Sequence, residues 1–415
     1  RGIGAQALAA VGATSIVVWL TLGFAMGLTR GFCIHISQAY GKKDYHLVNR
    51  GFFVASVLSL IVGAMISIVG SLAIRDFLIL MHTPGEILEQ SLDYIKVILL
   101  GFVITVLNNL FMSVLQSLGD SSTPFWALLV SSVTNIGLDC VFVLTLKWGV
   151  QGAAAATVLS QVFSFAICAA GLKRLKFVSI LDGSKSKNAR LTVRMLKTGL
   201  PVGIMSMVTA VGGMILQFFV NDLGASAVAA YAASTKIRSV IGEFSNALGM
   251  TFMTFVGQNY GAQKYDRIKA GVRMGVLLSI LIHIPLSAVE IFGGKRIASL
   301  MVTDPPVLEL CRQYLLIVGI FVFFLGFLMV FRNCIQGMGN TWIPMLSGGL
   351  EVFSRLIFGY WLGRHSFMGI AAAEASAWIS VSIMLGSSFF ILFRKVLRTQ
   401  TPENTTDTKN IRTDS

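Results

Sequence analysis

Uncharged apolar stretches alternate with short polar connectors along almost the whole chain. Residues 52–74 carry no charge, and neither do residues 97–119. Each run is long enough to cross about 30 Å of hydrocarbon at about 1.5 Å per residue. The pattern predicts helical spans near 6–38, 51–74, 88–118, 124–146 and 149–173, then 197–222, 225–260, 271–292, 309–338, 342–363 and 368–396. Glycine and proline punctuate the joints, as in Gly119-Asp120-Ser121-Ser122-Thr123-Pro124 and Gly339-Asn340-Thr341-Trp342-Ile343-Pro344. Pro124 and Pro344 fall near helix starts, where a missing N–H costs little.

The longest polar interruption, 173–197, divides two related halves. Gly4 matches Gly224, Gln38 matches Gln258 and Gly119 matches Gly339, each 220 positions on. Gln38-Ala39-Tyr40-Gly41 returns as Gln258-Asn259-Tyr260-Gly261, and Tyr94 and Gln116 return as Tyr314 and Gln336. An even number of spans separates equivalents, so both copies share one orientation. Such repeats are a transporter device, one half rocking against the other about a central site. The segment 200–220 maps onto positions before and around residue 1, which predicts an opening helix ahead of Arg1. The expected fold is an all-α membrane protein of two parallel-repeat bundles, with 11 transmembrane helices here and 12 in the intact protein. The expected divisions are a first lobe over 1–175, a basic connector over 176–196, a second lobe over 197–396 and a disordered tail over 397–415.

Composition agrees. The chain is 55% hydrophobic and 13% charged, with a mean hydropathy of +0.76, far from the soluble average of about 25% charged. The net charge of +14 does not mark a nucleic-acid binder, because the cations sit in connectors. Lys42, Lys43 and Arg50, the 173–197 stretch, Lys264, Arg267, Lys269 and Arg273, and Arg394, Lys395 and Arg398 all fall on one side. By the positive-inside bias that side is cytoplasmic, together with the connector and the C-terminus. Cys33, Cys140, Cys168, Cys311 and Cys334 show no metal or disulfide spacing.

Ionisable residues inside apolar spans are costly and mark candidate sites. Asp139 lies four residues after Asn135, on one helical face, and Thr157 on the next span adds a hydroxyl. Carboxylate, amide oxygen and hydroxyl suit a proton or a sodium ion. Glu351 precedes Arg355 by one turn, the favourable order for an ion pair, structural or coupling. Glu374, near a helix start, is explicable by the helix dipole alone. Lys236, about 16 Å in from Ala225, and Glu243 are candidate cavity charges. No metalloprotease helix, phosphate-binding loop or nucleophile elbow is present. Without a nucleotide domain, energy comes from an ion gradient or transport is passive. No cofactor is implied, no metal beyond sodium, and no enzyme activity.

Several segments carry a family likeness: Ala7-Leu8-Ala9-Ala10-Val11-Gly12, Gly27-Leu28-Thr29-Arg30-Gly31-Phe32, Gln38-Ala39-Tyr40-Gly41 and Phe255-Val256-Gly257-Gln258-Asn259-Tyr260-Gly261. Together they resemble the multidrug and toxic compound extrusion (MATE) transporters over nearly the whole chain. The resemblance implies two six-helix lobes around a V-shaped cavity, in a multi-pass protein of the bacterial inner membrane. It implies exchange of protons or sodium for drug-like or cationic amphipathic compounds. It places Asn135, Asp139 and Thr157 at a first-lobe cation site whose remaining acid would precede Arg1. The acids of a second-lobe site are replaced, by Thr209 and by Leu325 or Gly326. The expected partners are a small-molecule substrate and the lipid bilayer, with neither nucleic acid nor an obligate protein partner. Rival readings are a lipid-linked oligosaccharide flippase, favoured by Lys236 and Arg238, and a non-transporting membrane scaffold.

Overall fold

The computed structural model describes residues 4–179, Asp182 and 188–398. The expected disordered tail lies almost wholly outside these residues, as does part of the basic connector. Among them the chain is built from helices, with no strand.

The first half holds α1 (Gly4–Gly41), α2 (Tyr45–Leu80), α3 (Gly85–Leu100), α4 (Phe102–Ser117), α5 (Ser122–Asp139) and α6 (Gly149–Arg174). After the connector come α7 (Ala189–Asn221), α8 (Ala225–Gly261), α9 (Tyr265–Ala288), α10 (Gly294–Ala298), α11 (Pro305–Gly337), α12 (Trp342–Phe358) and α13 (Phe367–Arg398). Single π-helical turns extend α5 over Cys140–Thr145 and α12 over Gly359–Gly363, and a third, Val289–Gly293, joins α9 to α10. α7 starts at Ala189, so the end of the stretch read as connector is helical.

Eight of these rods are long and apolar enough to cross a membrane, or nine with α3 and α4 as one span bent by 47°. The bend falls at Gly101, where a Cβ would strike the side chain of Val158 on α6. The sequence pattern read 88–118 as one straight span. α8 and α12 fall outside the length-and-hydropathy criterion. They are the two rods that carry Lys236, Arg238 and Glu243, and Glu351 and Arg355, in their middles.

The duplication is visible in the backbone. Gly119 and Gly339 are left-handed at φ 94° and 92°, and the paired turn residues Lys43 and Gln263 at 62° and 57°. A residue other than glycine would be strained at the first pair. Asp120 caps α5 by accepting from the Thr123 amide at 3.0 Å, and its counterpart Asn340 accepts from the Ile343 amide at 3.2 Å. The buried apolar side chains gather separately, one cluster within 28–195 and another within 216–393.

The halves meet along α1, which packs lengthwise on α7 and, where both end, against α8. There the helices touch backbone to backbone. A Cβ on Gly41 would run into the carbonyl of Gln258, and one on Gly261 into the carbonyl of Gln38. Small residues permit this approach. Two crossed hydrogen bonds then tie each half to the other. Gln38 Nε2 donates to the Gly337 carbonyl at 2.9 Å, and Gln258 Nε2 donates to the Ser117 carbonyl at 2.9 Å. Donors and acceptors are repeat equivalents, so the clasp has pseudo-two-fold symmetry. Ser37 adds a bond to the Thr254 carbonyl at 3.2 Å. The molecule is thus closed on its Lys/Arg-rich side.

Removing both amides with Gln38→Ala and Gln258→Ala deletes two bonds, each contributing about 0.5–1.5 kcal/mol. The open form on that side gains about fivefold to a hundredfold. Spin labels at Lys42 and Lys264, in a background without native cysteines, are expected to show a longer distance component absent from the parent.

Candidate functional site

In the first half, Asn135 and Asp139 sit one turn apart on α5 and point to one face. Both are half-buried. Asn135 Nδ2 and Asp139 Oδ1 are shielded from solvent and have no hydrogen-bond partner. Thr157 lies on α6, which packs along α5; its hydroxyl donates to the Ala153 carbonyl of its own helix at 3.0 Å. No hydrogen bond joins the three to one another among the described residues. Around them, Asn108 donates to Gln161 at 3.0 Å across α4 and α6, and Tyr94 of α3 lies in the neighbourhood of Asp139. The oxygens present suit a proton or a hard monovalent cation. No cluster of three or more His, Cys, Asp or Glu that could hold a metal occurs among the described residues.

The second half gathers far more charge. Glu351 lies between two guanidinium groups, Arg332 at 2.9 Å and Arg355 at 2.9 Å. Arg355 reaches on to Glu374 at 3.7 Å, and Glu374 pairs with Arg238 at 3.0 Å. The Tyr314 hydroxyl donates a short hydrogen bond to Glu374. Arg238 also lies over the Trp378 ring, 5.8 Å from its centre. Four helices, α8, α11, α12 and α13, supply this chain. Each charge offsets the desolvation of its neighbour, and removing one member would leave another buried and unpaired.

Glu290 stands beside the chain and outside its hydrogen bonds. It is 1% exposed, on the π-helical turn after α9, and neither carboxylate oxygen has a hydrogen-bond partner. It interacts electrostatically with Arg238 and Glu374.

Between the halves, just above the clasp, a cavity of about 200 Å³ is lined by α1, α7, α8 and α11. Its charged lining residues are Arg30 and Arg332, accompanied by Asn246, Asn333 and Gln336. Arg30 donates to Asn246 at 3.4 Å across the halves, and Asn246 to Glu243 at 3.4 Å. From the cavity a stripe of α8 runs exposed, through Thr251, Ala247, Glu243, Ser239, Lys236 and Ala232. A small and polar face on a membrane-crossing helix belongs against a wet cleft rather than against lipid. Lys236 and Glu243 both lie on this stripe, without an ion pair between them.

The sequence-derived Glu351–Arg355 pair is present as a one-turn contact. The reading of Glu374 as a helix-start carboxylate is corrected: it is buried and held by Arg238 from α8, Arg355 from α12 and Tyr314 from α11. Arg30, Arg332, Glu290 and Tyr314 were missed as site residues. Arg30 stands within one of the quoted motif segments, and Glu290 is an acid in an apolar span; those were the available signals. Gly326, aligned above with an acidic position, packs against Ser279 and His283, leaving no room for a longer side chain. His283 donates through Nδ1 to the Ser279 carbonyl at 2.6 Å and accepts at Nε2 from Ser245 at 2.8 Å, so its ring is fully engaged.

The sequence profile of one family, MatE, matches residues 1–141 and 201–361. The chain is 27% identical to the Probable multidrug resistance protein YoeA of Bacillus subtilis, over 89% of this chain and 85% of that protein. It is 25% identical to the FAD transporter of Shewanella oneidensis, over 80% of this chain and 75% of that protein. Among solved structures it superposes on an outward-facing conformation of a multidrug resistance MATE family transporter. That match has a TM-score of 0.89 and 23% identity, covering 96% of this chain and 90% of the other. With the family profile matching in each half of a duplicated helical membrane fold, the chain belongs to the MatE family of transporters.

Proposed function

We propose that this protein is a secondary active antiporter of the bacterial inner membrane, with its Lys/Arg-rich side cytoplasmic. It exports drug-like or cationic amphipathic compounds in exchange for protons or sodium. Its lobes correspond to 1–175 and 197–396. One observation carries the coupling: each half encloses a carboxylate with an unpartnered buried oxygen, Asp139 in the first and Glu290 in the second. An unpaired charge in an apolar span is expensive, so a proton or small cation belongs on such a group for part of the cycle. Binding it shifts the balance between the form closed by the Gln38–Gln258 clasp and the form open there, and the substrate favours the other state. Asn135 and Thr157 position the ion at Asp139. The Glu351–Arg355 pair, linked to Glu374, gives the second half a charged element that responds to Glu290.

A second reading rests on the cavity. Its two charged lining residues are both arginines; Arg332 is already paired with Glu351, and Arg30 is the one that favours a phosphate-bearing cargo over a bare cation. A relative named for FAD transport, and a flippase for lipid-linked oligosaccharide, both fit that polarity.

Reconstituted vesicles separate these readings. Efflux of a cationic dye that collapses when the proton or the sodium gradient is dissipated supports the antiporter and names its ion. Movement of a fluorescent lipid-linked phosphosugar, without dye flux, overturns it in favour of the flippase. In the full chain, Asp139→Asn and Glu290→Gln are each expected to reduce gradient-driven efflux by about tenfold or more, with membrane insertion unchanged. Unaltered efflux in either variant removes that residue from coupling. Arg332→Met is expected to lower stability strongly, by about 3 kcal/mol or more, because Glu351 then loses one of its two guanidinium partners; thermal unfolding in detergent measures it.

A further inference from the structure

One groove on the molecule lies away from the seam between the halves. It lies on the outer side of the second half, between α9, α11 and α13, with a volume of about 580 Å³. Its wall is aromatic, made of Phe331, Phe389, Phe390 and Phe393. Phe389 stacks on Phe393 with ring centres 5.5 Å apart, and Phe331 contacts Phe389 at 5.9 Å. Phe390 stays 57% exposed, so the groove opens sideways from the protein. Three cations also line it: Lys269 and Arg273, one turn apart on α9, and Arg394 in the last turns of α13. All three are exposed, and no acidic side chain lines the groove. Asp266, one turn earlier on α9, stays outside it.

We propose that this groove binds one anionic phospholipid from the leaflet on the Lys/Arg-rich side. An acyl chain lies along the phenylalanine wall and the phosphate is held by Lys269, Arg273 and Arg394. An apolar slot closed by a cluster of cations matches an amphiphile with a negative headgroup.

The duplication supplies an internal control. The positions equivalent to Phe389, Phe390 and Phe393 are Ala169, Ala170 and Lys173, and those equivalent to Lys269 and Arg273 are Asn49 and Phe53. There the chain covers itself. The Ser179 amide donates to Asn49 at 2.9 Å, and Phe177 stacks with Tyr40 at 5.9 Å. Phe331 and Arg394 have first-half equivalents in Phe111 and Arg174, so what is specific to the second half is the three phenylalanines of α13 and the two cations of α9. The chain's own C-terminal stretch, 399–415, is a poor filler: it is polar apart from Pro402 and Ile411, its one large aliphatic residue.

Native mass spectrometry of the full chain, delipidated and then titrated with phosphatidylglycerol or phosphatidylcholine, tests the assignment. One phosphatidylglycerol is expected to be retained at least about tenfold more tightly than phosphatidylcholine. Lys269→Gln with Arg273→Gln and Arg394→Gln is expected to abolish that preference. Removal of three cations elsewhere on the same side, Lys42→Gln with Lys43→Gln and Lys176→Gln, is expected to leave it. Val276→Trp, which fills the groove without changing charge, is expected to release the lipid. Should that variant fold poorly, a phosphatidylglycerol photo-crosslinkable at its acyl end is expected to label the α13 peptide containing Phe390 and Phe393. Equal retention of both lipids, equal loss in the two triple variants, or labelling spread over all lipid-facing helices would overturn the proposal. So would tighter binding after deletion of 399–415, which would make that segment the occupant.

Discussion

Charge neutralised inside an apolar bundle is the constraint on which the second half depends. Arg332, Glu351, Arg355, Glu374 and Arg238 come from four helices and meet in one interior chain. None of them could be placed there alone, because an isolated ion in low-dielectric surroundings costs several kcal/mol even after relaxation. The chain therefore fixes the rotation of α8, α11, α12 and α13 about their axes. It also explains how α8 and α12 cross an apolar bundle despite their own weak hydropathy: Arg238, Glu351 and Arg355 are neutralised within the chain of charges.

The duplicated backbone carries different chemistry in its two copies. The position of Arg355 is occupied by Asn135 in the first half, and that of Tyr314 by Tyr94. Tyr314 donates to Glu374, while Tyr94 lies in the neighbourhood of Asp139. Equivalent scaffold sites thus attend to a carboxylate in both halves, although the carboxylates themselves are not equivalent. In the first half the surroundings are neutral amides and hydroxyls; in the second they are guanidinium groups. The halves share geometry at their shared end, where the glutamine clasp is nearly symmetric, and diverge in their interiors.

Hydropathy made the spans readable, because twenty or so apolar residues have few alternatives to a membrane helix. The offset of 220 positions made the duplication readable, and Gln38 and Gln258 were visible as a repeated motif before their clasp was known. Glu351 with Arg355 could be paired from spacing, since one turn separates them. Arg238 with Glu374 could not, because helix rotation and tertiary packing decide that contact. Asp139 stood out as an acid in an apolar run, yet Glu290 did not, lying close to the charged Lys295 and Arg296 at a span's end. The bend at Gly101 was hidden for another reason: the glycine is explained by Val158, on a helix far along the chain.

The clasp joining the halves contains no ionised group. Two side-chain amides and two main-chain carbonyls, from Gln38, Gln258, Ser117 and Gly337, hold it shut. Transmembrane voltage does no direct work on neutral dipoles of this kind, as it does on a displaced charge. Because the two bonds cross, a rocking motion ruptures both together, and the four freed groups need hydration at that moment. Parting this end breaks no ion pair in the clasp itself, and its local cost is that of hydrating the freed amides and carbonyls.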